Sequence, residues 1–184
     1  MTERLIIVDT ETTGLDLMRH RPVEVAWLNW RVRNHAHDGG VFIPPHNLTN
    51  ADDKALQINR YAERIAFSDQ RRWDLDYSAT RELHKLLTGA TLAGANVRFD
   101  AAMLSHLFRA AHLFPEPWHY RLLDIEAFAA GVLGMLPWEV PSLRTLCDRL
   151  GVHPRPDHTA WSDVVAGAAV LDKLVPAGVR PCMA

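Results

Sequence analysis

Cysteine is nearly absent from this chain: Cys147 and Cys182 are the only two, and they form no CxxC pair. A disulfide framework or a cysteine-built zinc site is therefore not expected, and a reducing compartment is. There is also no membrane-length apolar run, and Met1-Thr2-Glu3-Arg4 leads straight into a strand without the long apolar segment of a signal peptide. A soluble, cytoplasmic protein with no membrane partner is the expectation. Basic charge is not in excess either: the net charge is −2 with histidine neutral. That argues against a protein that coats nucleic acid electrostatically, but not against a local site that brings its own cations. Repeats and low-complexity linkers are missing too. With 48% apolar and 23% charged residues the composition is that of an ordinary globular protein. Its 184 residues suit one domain spanning 1–184, with its core over about 4–174.

What the chain does have stands at its start. Leu5-Ile6-Ile7-Val8 is an apolar strand that ends in Asp9-Thr10-Glu11. Side chains alternate faces along a strand, so Asp9 and Glu11 project from one side. Two like charges that close repel unless a cation or a proton lies between them. Gly14 then allows a tight turn. This is half of a divalent-metal site.

The remaining pattern gives a fold class. Residues 22–32 and 39–43 alternate well enough for two further strands with short links, an antiparallel meander stopped by Pro44-Pro45. Helical spacing follows at 51–59, capped by Asn50, and at 78–88, stopped by Gly89. A small-residue strand at 91–95 leads into a helix at 98–112. A last strand at 120–124 precedes helices at 125–133, 142–150 and 159–174, with Asp124 and Ser142 in N-cap positions. The result is an α/β protein with a mixed sheet flanked by helices.

Two further aspartates stand at predicted helix starts. Asp100 follows Asn96-Val97-Arg98-Phe99, and Asp163 closes His158-Thr159-Ala160-Trp161-Ser162-Asp163. Each alone is explained by the helix dipole. On one regular helix His158 and Asp163 would point about 140° apart. His158 is therefore placed in the preceding loop, reaching in from the side as a general base.

Together, Asp9, Glu11, Asp100, His158 and Asp163 resemble, in order and context, the motifs of the DEDDh (DnaQ-like) 3′→5′ exonucleases of the RNase H-like superfamily. The matching segments are Ile7–Leu15, Gly94–Asp100, Ser142–Gly151 and His158–Asp163. Histidine five residues before the final aspartate marks the h subtype; a sister subtype has tyrosine where this chain has Thr159. The resemblance implies a five-stranded mixed sheet with an antiparallel second strand. It also implies two Mg²⁺ or Mn²⁺ ions held by Asp9, Glu11, Asp100 and Asp163, with His158 taking the proton of the attacking water. Thr12, Thr13, Gly14 and Leu15 would receive the terminal nucleotide, with Asn96 and Phe99 beside them. Phe99 has two readings: a base-stacking residue, or core packing on the sheet side of its helix. Most of the six tryptophans are expected to pack, and Arg71-Arg72-Trp73 is a weak phosphate-contact candidate.

The implied reaction is release of nucleoside 5′-monophosphates from single-stranded 3′ ends, with DNA favoured over RNA. The alternatives are an oligoribonuclease-like enzyme and an end-binding module without turnover. The segment 50–61 lacks the Ile-Gly-Ile-Thr-like turn of replicative proofreading subunits, and the chain ends soon after its last predicted helix. Association with a DNA polymerase is thus unsupported, and a stand-alone enzyme is expected. The oligomeric state is not legible.

Overall fold

The computed structural model describes residues 4–30, 38–43, 48–66, 74–155 and 159–176. Its centre is β1 (Leu5–Thr12), whose first half is apolar on both faces: Ile6 and Val8 look one way and Ile7 the other, all buried. A strand apolar on both sides belongs in the interior of a sheet covered twice. β2 (Pro22–Asn29) and β3 (Gly39–Phe42) extend the sheet antiparallel from one edge of β1. β4 (Thr91–Gly94) and β5 (Leu122–Asp124) extend it parallel from the other, giving the order β3-β2-β1-β4-β5.

Helices cover both faces. α1 (Asp53–Ile58) and α2 (Tyr61–Ala66) follow β3, and α3 (Ser78–Leu87) precedes β4. α4 (Val97–Ala110) joins β4 to β5. α5 (Ile125–Val132), α6 (Leu143–Leu150) and α7 (Ala160–Leu174) complete the described chain. One core packs Ile7, Ala93 and Ile125 against Leu146, Val164 and Leu171 of α6 and α7. The other packs Ile6, Val8 and Leu92 against Leu83, Leu104 and Phe108 of α3 and α4. The face that carries Ile7 also carries Asp9 and Glu11, so α7 lies over the carboxylates. Close sheet packing explains Gly94: a Cβ there would stand 2.8 Å from the Val8 carbonyl oxygen.

The mixed five-stranded sheet with its antiparallel second strand is as expected. So are the Asp124 and Ser142 caps, whose side chains accept from the Ala127 and Thr145 amides. Several details differ. The cap of α1 is Asp52, accepting from Lys54, and not Asn50, which lies in the preceding turn. The helix predicted over 51–59 runs only Asp53–Ile58, and a second short helix, α2, follows across Arg60 at φ 51°. β2 ends at Asn29, before residue 32. β5 begins at Leu122, because Tyr120 and Arg121 are exposed. Phe99 belongs to neither core and is half-buried, so the core-packing reading fails. Trp27, Trp30 and Trp118 pack as expected, whereas Trp138 and Trp161 are exposed. Pro44-Pro45 and Arg71-Arg72-Trp73 lie outside the described residues.

Candidate active site

The site forms because β1 is longer than its parallel neighbour. β4 pairs with β1 only as far as Ile7↔Ala93, and the chain then turns at Asn96 into α4. Past that point the β4-side edge of β1 is taken up by the first turn of α4. Asp100, buried, accepts from the Thr10 amide at 2.9 Å and from the Thr10 hydroxyl at 2.8 Å through one carboxylate oxygen. Thr10 is thus the residue that fixes Asp100 beside Asp9.

On the α7 side, Asp9, Glu11 and Asp163 each offer a carboxylate oxygen, and these oxygens lie within 4.8 Å of one another. Asp163 is delivered by a helix start built as a capping box: the Thr159 hydroxyl accepts from the Ser162 amide at 3.1 Å and the Ser162 hydroxyl accepts from the Thr159 amide at 3.3 Å. The charge is not dissipated by solvent. Burial, and then the charges of Asp100, Asp163, Glu11 and Glu24, hold the Asp9 carboxyl well above the usual carboxylate range. Burial and the neighbouring Glu24 push Glu11 up to about 8. Burial raises Asp100 to about 7 even though its bonds to Thr10 act the other way. Oxygen donors that converge and resist ionising one another fit a divalent cation.

The turn after β1 is held from several directions. The register slips between Glu11 and Thr12, and the buried Thr12 hydroxyl donates to the Gly14 carbonyl at 2.8 Å. Thr13, also buried, exchanges backbone bonds with Arg21 and Asp52. Its hydroxyl meets the His20 imidazole at 3.2 Å. Gly14 has φ 152°, and a Cβ there would sit 2.6 Å from that ring. The Asn59 amide donates to the Thr12 carbonyl at 3.2 Å. Both threonine hydroxyls are thus spent on shaping the turn, and Leu15 projects from its apex at 81% exposure. Asn96 is exposed in left-handed geometry at the start of α4, with Phe99 in the helix's first turn.

Of the residues expected from sequence, Asp9, Glu11 and Asp163 meet directly, and Asp100 stands next to them as the strongest charge acting on Asp9. His158 lies outside the described residues. Sequence reasoning missed Glu24, the strand partner of Glu11, and Arg64, which binds it at 2.5 Å. The signal for Glu24 was present: a carboxylate flanked by Val23 and Val25 in a strand that is apolar on both faces from Pro22 to Leu28 apart from it.

A family profile described as exonuclease (RNase_T) matches residues 6–171. The chain belongs to this exonuclease family. No curated protein matches it. Among solved structures, exonuclease I of E. coli in complex with a dT13 oligonucleotide superposes on this exonuclease-family chain with a TM-score of 0.70. It has 18% identity over 94% of this chain and 41% of that one. A zinc-bound E. coli exonuclease I–ssDNA complex gives 0.73, at 21% identity over 95% and 40%. An exonuclease I/SSB-Ct complex gives 0.73, at 17% identity over 94% and 41%. The chain therefore shares the RNase H-like exonuclease fold and spans about two fifths of the length of those chains.

Proposed function

We propose that this family member removes nucleoside 5′-monophosphates from the 3′ ends of single-stranded DNA, using two Mg²⁺ or Mn²⁺ ions. The observation that carries the reading is the meeting of carboxylate oxygens of Asp9, Glu11 and Asp163 within 4.8 Å, on a half-buried sheet end flanked by the buried Asp100. Asp9 would bridge the ions, Glu11 and Asp163 would complete the site at the attacking water, and Asp100 would serve the second ion. Ions held by these residues would supply Lewis-acid activation of water and charge stabilisation for the departing 3′ oxygen. His158 would accept the water's proton. The turn formed by Thr12, Thr13, Gly14 and Leu15 would seat the terminal nucleotide, with exposed Leu15 against its base. Phe99, free of both cores, would offer a stacking face beside Asn96, a contact worth about 1–3 kcal/mol per base. The single-stranded DNA in the exonuclease I complexes supports DNA as the substrate.

The test is digestion of 5′-labelled single-stranded DNA and RNA of one sequence with Mg²⁺, Mn²⁺ or EDTA. DNA laddering with either metal and none in EDTA is expected. Faster laddering of RNA would reverse the substrate assignment, and no laddering of either strand would refute the activity.

A further inference from the structure

Glu24 is a fifth carboxylate at the site, and the structure spends it on something else. It pairs directly across from Glu11 in the β1–β2 ladder, and directly opposed residues of an antiparallel pair share a face. By position it belongs with the metal cluster. Both of its oxygens are nonetheless engaged elsewhere. One binds the Arg64 guanidinium at 2.5 Å, and the other accepts from the Ala160 amide at the start of α7 at 3.3 Å. Arg64 cannot easily leave. It donates to the Asn59 carbonyl at 3.2 Å, its guanidinium lies 5.1 Å from the centre of the Phe42 ring, and its side chain is only 17% exposed.

We infer that Arg64 is the built-in counterion that withholds Glu24 from the metal centre, so that the centre presents four carboxylates and not five. The inference rests on the two-ion reading: four carboxylate charges balance two divalent cations, and an unpaired fifth would overload the site. Because Asn59, which Arg64 binds, also holds the Thr12 carbonyl, the counterion is anchored to the same turn that follows β1.

The test is calorimetric titration of Mn²⁺ into the metal-free full chain, without nucleic acid, for a double-mutant cycle. Arg64→Met frees Glu24 and is expected to tighten Mn²⁺ binding by about threefold or more, a shift expected from removing one nearby positive charge. Glu24→Gln leaves Arg64 facing the site and is expected to weaken binding by a similar factor, and the double variant to return close to wild type. Lys85→Met, which removes a surface cation from α3, should change nothing. Weakening in both single variants would overturn the inference, since the pair would then only brace the fold. Tightening by Lys85→Met would overturn it as well, as a general charge effect. If Arg64→Met does not fold, binding by the double variant no tighter than by Glu24→Gln alone would still overturn it. Wild-type protein that binds no Mn²⁺ would overturn the two-ion reading itself, whereas wild-type binding unchanged by Arg64→Met would overturn only the role of the pair.

Discussion

Asp9 stands where an apolar strand has carried it, beneath α7 and among four other carboxylates, and burial first and then its neighbours disfavour the charge it would take up. Burial first, and neighbouring charge after it, likewise raises Glu11 to about 8 and Asp100 to about 7. A carboxyl whose folded value lies above its unfolded one binds a proton more tightly in the folded chain. In the interval between the two values the unfolded state therefore holds fewer protons, and stability falls as pH rises. Without metal, the melting temperature in EDTA is expected to drop between about pH 5 and 8. Saturating Mg²⁺ should remove the drop. Asp9→Asn should flatten it too, and raise metal-free stability at pH 8 by on the order of 1–3 kcal/mol. A metal-free melting temperature that is level or rising over that range would contradict the account of the cluster.

At the scale of elements, strands and helices with one strong periodicity were legible from sequence. β1 was readable because Leu5–Val8 is apolar and Asp9 and Glu11 share a face. α5 and α6 were readable because Asp124 and Ser142 cap them. The elements that escaped are those whose boundaries depend on distant partners. Asp52 displaced Asn50 as a cap because its own amide is held by the Thr13 carbonyl, which fixes where α1 begins. Phe99 lies in an apolar helix, yet in the first turn of that helix Val97 faces the core and Asp100 the end of β1, and Phe99 lies in neither core. The four carboxylates proposed as metal ligands were visible as motifs, but Glu24 and Arg64 are joined only by the fold. α7 carries the clearest consequence. Thr159 caps the helix four residues before Asp163, so Thr159→Ala should destabilise the protein by about 1 kcal/mol. It should also raise the metal concentration needed for half-maximal activity, because the first turn that presents Asp163 frays. An unchanged metal dependence alongside the lost stability would show that Asp163 is held independently of the cap.

Across the whole molecule, residues separated by more than 150 positions meet at the carboxyl end of one central strand. β1 lies between an antiparallel half of the sheet and a parallel half. Its tip outruns β4, so both helical layers reach it: α4 brings Asp100 from one face and α7 brings Asp163 from the other. Ligand sites of open α/β sheets form at such carboxyl ends, where neighbouring strands no longer cover the tip. The central claim is that this convergence performs metal-dependent hydrolysis from the 3′ end. The most direct measurement is a time course on a 5′-labelled single-stranded oligonucleotide with Mg²⁺, for wild type and for Asp9→Ala shown to be folded. Wild type is expected to shorten the strand stepwise from its 3′ end, and Asp9→Ala to slow this by at least about a hundredfold. A labelled 5′ mononucleotide as the first product, or equal rates for the two proteins, would contradict it.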